Sequence, residues 1–197
     1  MRWDRAVHHV DNLARGCERM SSLPPDIFPL RVTQLWAVAD ILEDPANMEF
    51  VTVALCVDLP AEKVAWWTEP IGSQHWANAN RLNKNPVLAW WRSALVPVWN
   101  HRIVRPALVW DESGVREDTL SALRDGLGET VRSPAPTEDE FRARLRDELT
   151  ISRDTLRACT EVYEKRRWSP GKLAPAADAL WRASAGYLDV LDATTDV

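Results

Sequence analysis

An α+β (mixed α/β) fold is predicted: a small, mostly antiparallel or mixed sheet flanked by an N-terminal helix and a C-terminal antiparallel helix pair. Three observations predict it. Residues 3–20 carry apolar side chains at three- and four-residue intervals, two runs rich in valine, leucine and aromatics follow, and two long helical patterns close the chain after residue 137. The 197 residues, 46% of them hydrophobic, suffice for a continuous core.

Trp3, Val7, Val10, Leu13, Cys17 and Met20 mark one face of the first helix, and Ser21, Ser22, Pro24 and Pro25 stop it. His8 and His9 read as solvated polar residues, since neighbours on a helix diverge by about 100° and do not converge on a metal. "FPLRVTQLWAVADIL" and "MEFVTVALCVDLP" read as two strands joined by a turn at "EDPAN". In the second run Val51, Val53, Leu55 and Val57 point one way, and Phe50, Ala54 and Cys56 the other. A strand apolar on both sides belongs inside a sheet with helices above and below it.

"AEKVAWWTEP" reads as a short helix or turn. "SQHWANANRLN" reads as a helix capped by Ser73, and "NPVLAWWRSAL" as a second short helix with Pro86 at its first position. "VWNHRIV" alternates like a strand; Pro106 interrupts it before "ALVW" resumes at a bulge or edge. Residues 111–114 form a turn, and "REDTLSALRDGLG" a short helix ended by glycine. Thr137 and Glu140 make a capping-box pattern ahead of a stripe of Phe141, Leu145, Leu149, Leu156, Cys159 and Tyr163. "WSPGK" ends that helix. A last helix places Leu180, Trp181, Ser184, Tyr187, Leu188 and Leu191 on its inner face, antiparallel to its predecessor. Residues 1–133 thus form an α/β core, and residues 134–197 a helical hairpin packed on it as one compact unit.

The formal net charge of −5 counts against a general polyanion binder, which needs a broad basic surface. Cys17, Cys56 and Cys159 lie far apart on apolar stripes and read as reduced core cysteines, pointing to the cytoplasm. With neither a signal-like apolar block nor an apolar run of spanning length, no membrane partner is expected. Phosphate-loop, dinucleotide, zinc-protease and nucleophile-elbow motifs are missing, and no metal or cofactor is implied.

One segment departs from the chain's composition. Between Glu69 and Asp111 there is no acid, while Arg81, Lys84, Arg92, Arg102 and Arg105 leave 19 bases and 29 acids elsewhere. Indoles beside guanidinium and amide groups are the materials of a site that stacks a ring and neutralises an anion. The candidate ligand-binding residues are Trp76 and Trp91 for stacking, Arg81, Lys84, Arg92, His101 and Arg102 for charge, and Asn78, Asn80 and Asn100 for hydrogen bonds. The same materials build a protein interface or ordinary packing. Three readings stay open: a non-catalytic module for a nucleotide or nucleic-acid end, a protein-interaction module or homodimer, and an enzyme using His75 or His101 with Asp40, Glu49 or Asp111.

Through "FPLRVTQLWA", "VALCVDLP", "QHWANANRL" and "RRWSPGKL" the chain resembles an actinobacterial family of unknown function. More distantly it is similar to the small nucleotidyltransferase fold, in which a strand ends in Gly-Ser and the next carries two alternating metal-holding carboxylates. Here residues 37–40 stand where Gly-Ser belongs, and Glu49 and Val51 where the acids belong. Valine holds no ion, so the resemblance implies a catalytically dead relative that kept the scaffold.

Overall fold

The computed structural model describes residues 1–195 apart from Pro25, Ile27 and Asp44; these three, with Asp196 and Val197, lie outside the described residues. The architecture is α+β. Helix α1 (Trp3–Ser21) is followed by β1 (Val32–Val38), a 3-10 turn at Ala39–Leu42, and β2 (Val51–Val57). Then come α2 (Ser73–Ala79), β3 (Val87–Ser93), β4 (Ala107–Asp111), β5 (Gly114–Val115), α3 (Glu117–Arg124), α4 (Glu138–Arg166) and α5 (Ala174–Thr195). The sheet runs in the order β3-β2-β1-β4-β5. It is mixed: β1 pairs antiparallel with β2 and β4, β4 antiparallel with β5, and β2 parallel with β3.

The two-sided apolar pattern of β2 is realised. Val51, Val53, Leu55 and Val57 join a core with α1, α2 and α3, including Val10, Leu13, Trp76 and Leu120. Ala54 and Cys56 face the other way, into a second core with Val38, Trp66, Ile103 and Val190 of α5. Phe50 precedes the strand and is half exposed. The capping box forms as expected: Thr137 accepts from the Glu140 backbone, and the Glu140 carboxylate accepts from Thr137. The start of α4 lies beside Thr194, and Thr155 and Cys159 lie beside Pro175 and Arg182, so the two helices run antiparallel. Among the described residues no helix is long and apolar enough to cross a membrane.

Four expectations are corrected. The stretch of residues 85–95 holds strand β3 (Val87–Ser93) rather than a helix, because alternation sends Trp91 to the first core and Trp90 to the second, which a helix turn cannot do. Pro86 precedes a strand, another position where a missing N–H costs nothing. Residues 98–104 form a loop rather than a strand; the Asn100 side chain accepts from the N–H groups of Arg102 and Ile103, both at 2.9 Å, in place of a ladder. The residue before α2 is Gly72, left-handed at φ 93°, and Ser73 is already helical. Finally, α5 is rotated from its expected phase: Ala183, Gly186 and Val190 are buried, whereas Trp181 and Leu188 are 59% and 54% exposed.

Candidate functional site

The acid-free segment places its ten candidate residues on both faces of the sheet. On the α1 side, Trp76 is buried on α2 and meets buried Trp91 edge-to-face, ring centroids 5.7 Å apart, so both indoles serve the core. Asn80 donates to the Trp76 carbonyl at 3.1 Å and sits against Gly16 of α1, where a Cβ would collide with it. Asn78 is exposed and accepts from Asn83 at 3.3 Å. Arg81, left-handed at φ 54°, and Lys84 are exposed and have no ion-pair partner among the described residues.

On the opposite face, Arg92, Asn100, His101 and Arg102 are gathered by two carboxylates that sequence reasoning did not single out. Glu148 of α4 is buried and bonds Arg92; it also takes Arg144 at 3.0 Å and the Asn100 amide at 3.1 Å. Arg92 spends a further N–H on the Val98 carbonyl at 3.1 Å and lies 5.4 Å from the Trp66 ring centroid. Burial alone would push the Glu148 carboxyl up. The Arg92 and Arg144 charges, with hydrogen bonds from Arg92 and Asn100, outweigh that and hold it below the usual range. Asp189 of α5 is the second centre. It accepts from the Trp66 indole at 2.7 Å, contacts His101 Nε2 at 2.9 Å, and pairs with Arg102 at 2.5 Å. Burial opposes its ionisation, yet the Arg102, Trp66 and His101 donors bring it down to about 2. These ion pairs fasten the helical hairpin to the sheet.

The histidine chemistry is also redistributed. His101 faces Asp189 rather than Asp40, Glu49 or Asp111, and His75 stacks on Phe28 at 4.6 Å. Asp111 is occupied by Arg116 and Ser113, both at 2.5 Å. No group of three His, Cys, Asp or Glu gathers into a metal-holding cluster among the described residues.

An apolar cleft of about 280 Å³ opens between β3 and α5. Trp67 and Trp181 form one side as an edge-to-face pair at 6.3 Å, with Leu88 and Trp90 opposite. Leu88 is 44%, Trp67 40% and Trp181 59% exposed. Its rim holds Glu69 and Arg182, paired at 2.9 Å. Beyond that pair a second hollow of about 450 Å³ continues between residues 68–74 and the helices, reaching Cys159. Trp67 stands two residues before Glu69, at the border of the acid-free segment. Trp181 was assigned inward because apolar residues cover most of the circumference of α5, while its charged residues Arg182 and Asp189 turn toward Glu69 and Trp66 rather than away from the protein.

Fold and site together define an α+β module whose C-terminal helical hairpin is locked to the rest by one buried carboxylate, Glu148, and one part-buried, Asp189, and leaves an indole-lined cleft open. The chain belongs to the family described as Domain of unknown function (DUF7711), whose family model matches residues 1–196. Comparison with curated proteins and with solved structures finds no significant match.

Proposed function

We propose that the protein is a non-catalytic binding module whose partner is another polypeptide, engaged at the cleft between β3 and α5. The observation that carries this reading is the pair Trp67 and Trp181, two indoles 40% and 59% exposed beside exposed Leu88. Large aromatics at the centre of a patch with a polar rim are the usual anchors of protein recognition. Trp67 also holds a left-handed backbone at φ 66°, which costs a non-glycine residue about 1–2 kcal/mol. Such strain persists where surrounding contacts impose it, and it concentrates at binding sites. The test places a photo-crosslinking amino acid at position 181, with the exposed Glu138 position as control. Adducts specific to position 181 that vanish when Leu88→Asp is added across the cleft are expected. Adducts equal at the two positions refute the reading.

A second reading keeps the anionic ligand, favoured by Arg81 and Lys84 standing exposed beside Asn78 without carboxylate partners among the described residues. Titration of intrinsic tryptophan fluorescence with nucleotides and short oligonucleotides at low salt tests it. Quenching that Arg81→Ala abolishes supports it, and an unresponsive signal rejects it. The resemblance to the small nucleotidyltransferase fold draws support from the antiparallel β1–β2 pair, with Ala39 at φ 59° at the corner where Gly-Ser belongs. Val51, fully buried, occupies one carboxylate position, which fits a scaffold that has lost its metal-holding acids.

A further inference from the structure

We propose that the free edge of β3 accepts an extended peptide segment as an added strand, with one apolar side chain of that segment seated against Trp67 and Trp181. The proposal rests on the polypeptide-binding reading above and specifies its mode.

The hydrogen-bond pattern of β3 defines the edge. Val51 donates to the Pro86 carbonyl at 3.0 Å, and Ala94 donates to the Val57 carbonyl at 2.9 Å. In the regular parallel ladder between those two bonds, residues 88, 90 and 92 face β2, and residues 87, 89, 91 and 93 face away. The Val87 N–H closes locally on Asn85 at 2.8 Å. The N–H and C=O groups of Ala89 and Trp91 have no hydrogen-bond partner among the described residues. Two residues each offering a donor and an acceptor, spaced by one strand repeat, match the main chain of an extended polypeptide.

The two sheet edges differ in how they are guarded. β5 is two residues long, too short to template a neighbour. β3 is seven residues long in continuous register, carries no proline or bulge, and turns its one charged residue, Arg92, inward to Glu148. Sheets ordinarily protect an exposed edge with lysine, proline, a bulge or a covering element. Here the edge opens instead on the apolar cleft, whose far side is built by Trp67, Glu69 and Trp181.

The cleft also selects the occupant. The cleft lies between residues 67–69 and strand residues 88–91, a space bounded on both sides that suits a single extended segment. Glu69 and Arg182 neutralise each other at 2.9 Å, so the rim asks for no charge from the incoming chain. The side chains of the segment that point toward α5 meet Leu88, Trp90 and the Trp67–Trp181 pair, and are apolar.

The probe is a displayed library of random heptapeptides panned on the full chain, with the recovered peptides then measured by fluorescence anisotropy. Recovered sequences are expected to carry an apolar residue, and N-methylation of every second amide is expected to weaken binding about tenfold or more while methylation of the intervening amides does not. Ala89→Pro removes an outward N–H without touching the β2 ladder and gives a similar loss, as does Trp181→Ala at an exposed position; circular dichroism and the thermal midpoint check that both variants remain folded. Binding that needs Trp181 but ignores amide methylation and Ala89→Pro overturns strand addition and leaves the cleft a binding site. Failure to recover any peptide whose binding depends on Trp67 or Trp181 defeats both. A concentration-dependent dimer by light scattering, dissolved by Ala89→Pro, assigns the edge to a second copy and overturns the peptide proposal.

Discussion

Glu148 and Asp189 are two acids among 29, yet they hold two of the five cations of the acid-free segment, Arg92 and Arg102. Glu148 falls on the inner face of α4 between Leu145 and Ser152, both buried, so an acid on an apolar stripe was a signal available in the sequence. What was not legible was its partner, 56 residues earlier in the chain. Removing this carboxylate strands the Arg92 and Arg144 charges in the interior. Glu148→Ala is therefore expected to cost about 3–5 kcal/mol in urea unfolding, while Arg92→Met with Glu148→Leu recovers only part of that loss, because Arg144 is still left without its buried counter-charge. Asp189 sets an acid limit. Its folded value lies near 2, below the value of about 3.9 for an unfolded aspartate. Its contribution to stability is therefore complete above the unfolded value and fades as pH falls from about 4 toward 2. Thermal melts between pH 7 and 2.5 should show this decline, and Asp189→Asn should flatten part of it.

At the scale of elements, helix α1, strands β1 and β2, and the capped start of α4 were legible because each has one dominant pattern and a clear stop. β3 was not: Asn85-Pro86 imitates a helix start, and only tertiary pairing shows that Trp90 and Trp91 serve different cores. The phase of α5 was hidden for a related reason, since its charged stripe of Arg182 and Asp189 finds partners on the protein, Glu69 and Trp66, instead of facing water. Gly186 fixes that phase in the structure. A Cβ there would sit on the Trp66 carbonyl oxygen and crowd Trp67. Gly186→Ala is expected to destabilise the protein by about 1–3 kcal/mol, because the fit must open to accept the methyl. It should also disturb the edge-to-face Trp67–Trp181 contact, read as a change in near-ultraviolet circular dichroism.

Across the whole molecule, we propose that residues 1–133 and the hairpin after them unfold together. The second core is incomplete without Val190 and Leu149, and the counter-charge of Arg92, Glu148, lies on α4. Equilibrium denaturation followed by tryptophan fluorescence and by far-ultraviolet circular dichroism should give coincident single transitions. Separate transitions would show that the hairpin melts on its own. The candidate site was legible in composition and not in geometry: an acid-free window rich in cations is equally the mark of an outside anion and of an inside one, and spacing does not tell them apart.

That ambiguity bears on any shortened version of the chain. A fragment ending before Glu148 would display Arg92, Arg102 and the bared second core without Glu148 or Asp189 to neutralise them. It would adhere to DNA, RNA or heparin resin through groups that the intact molecule keeps satisfied. Affinity for polyphosphates measured on such a fragment would be an artefact of the cut, exposing a surface that normally clasps the protein's own tail.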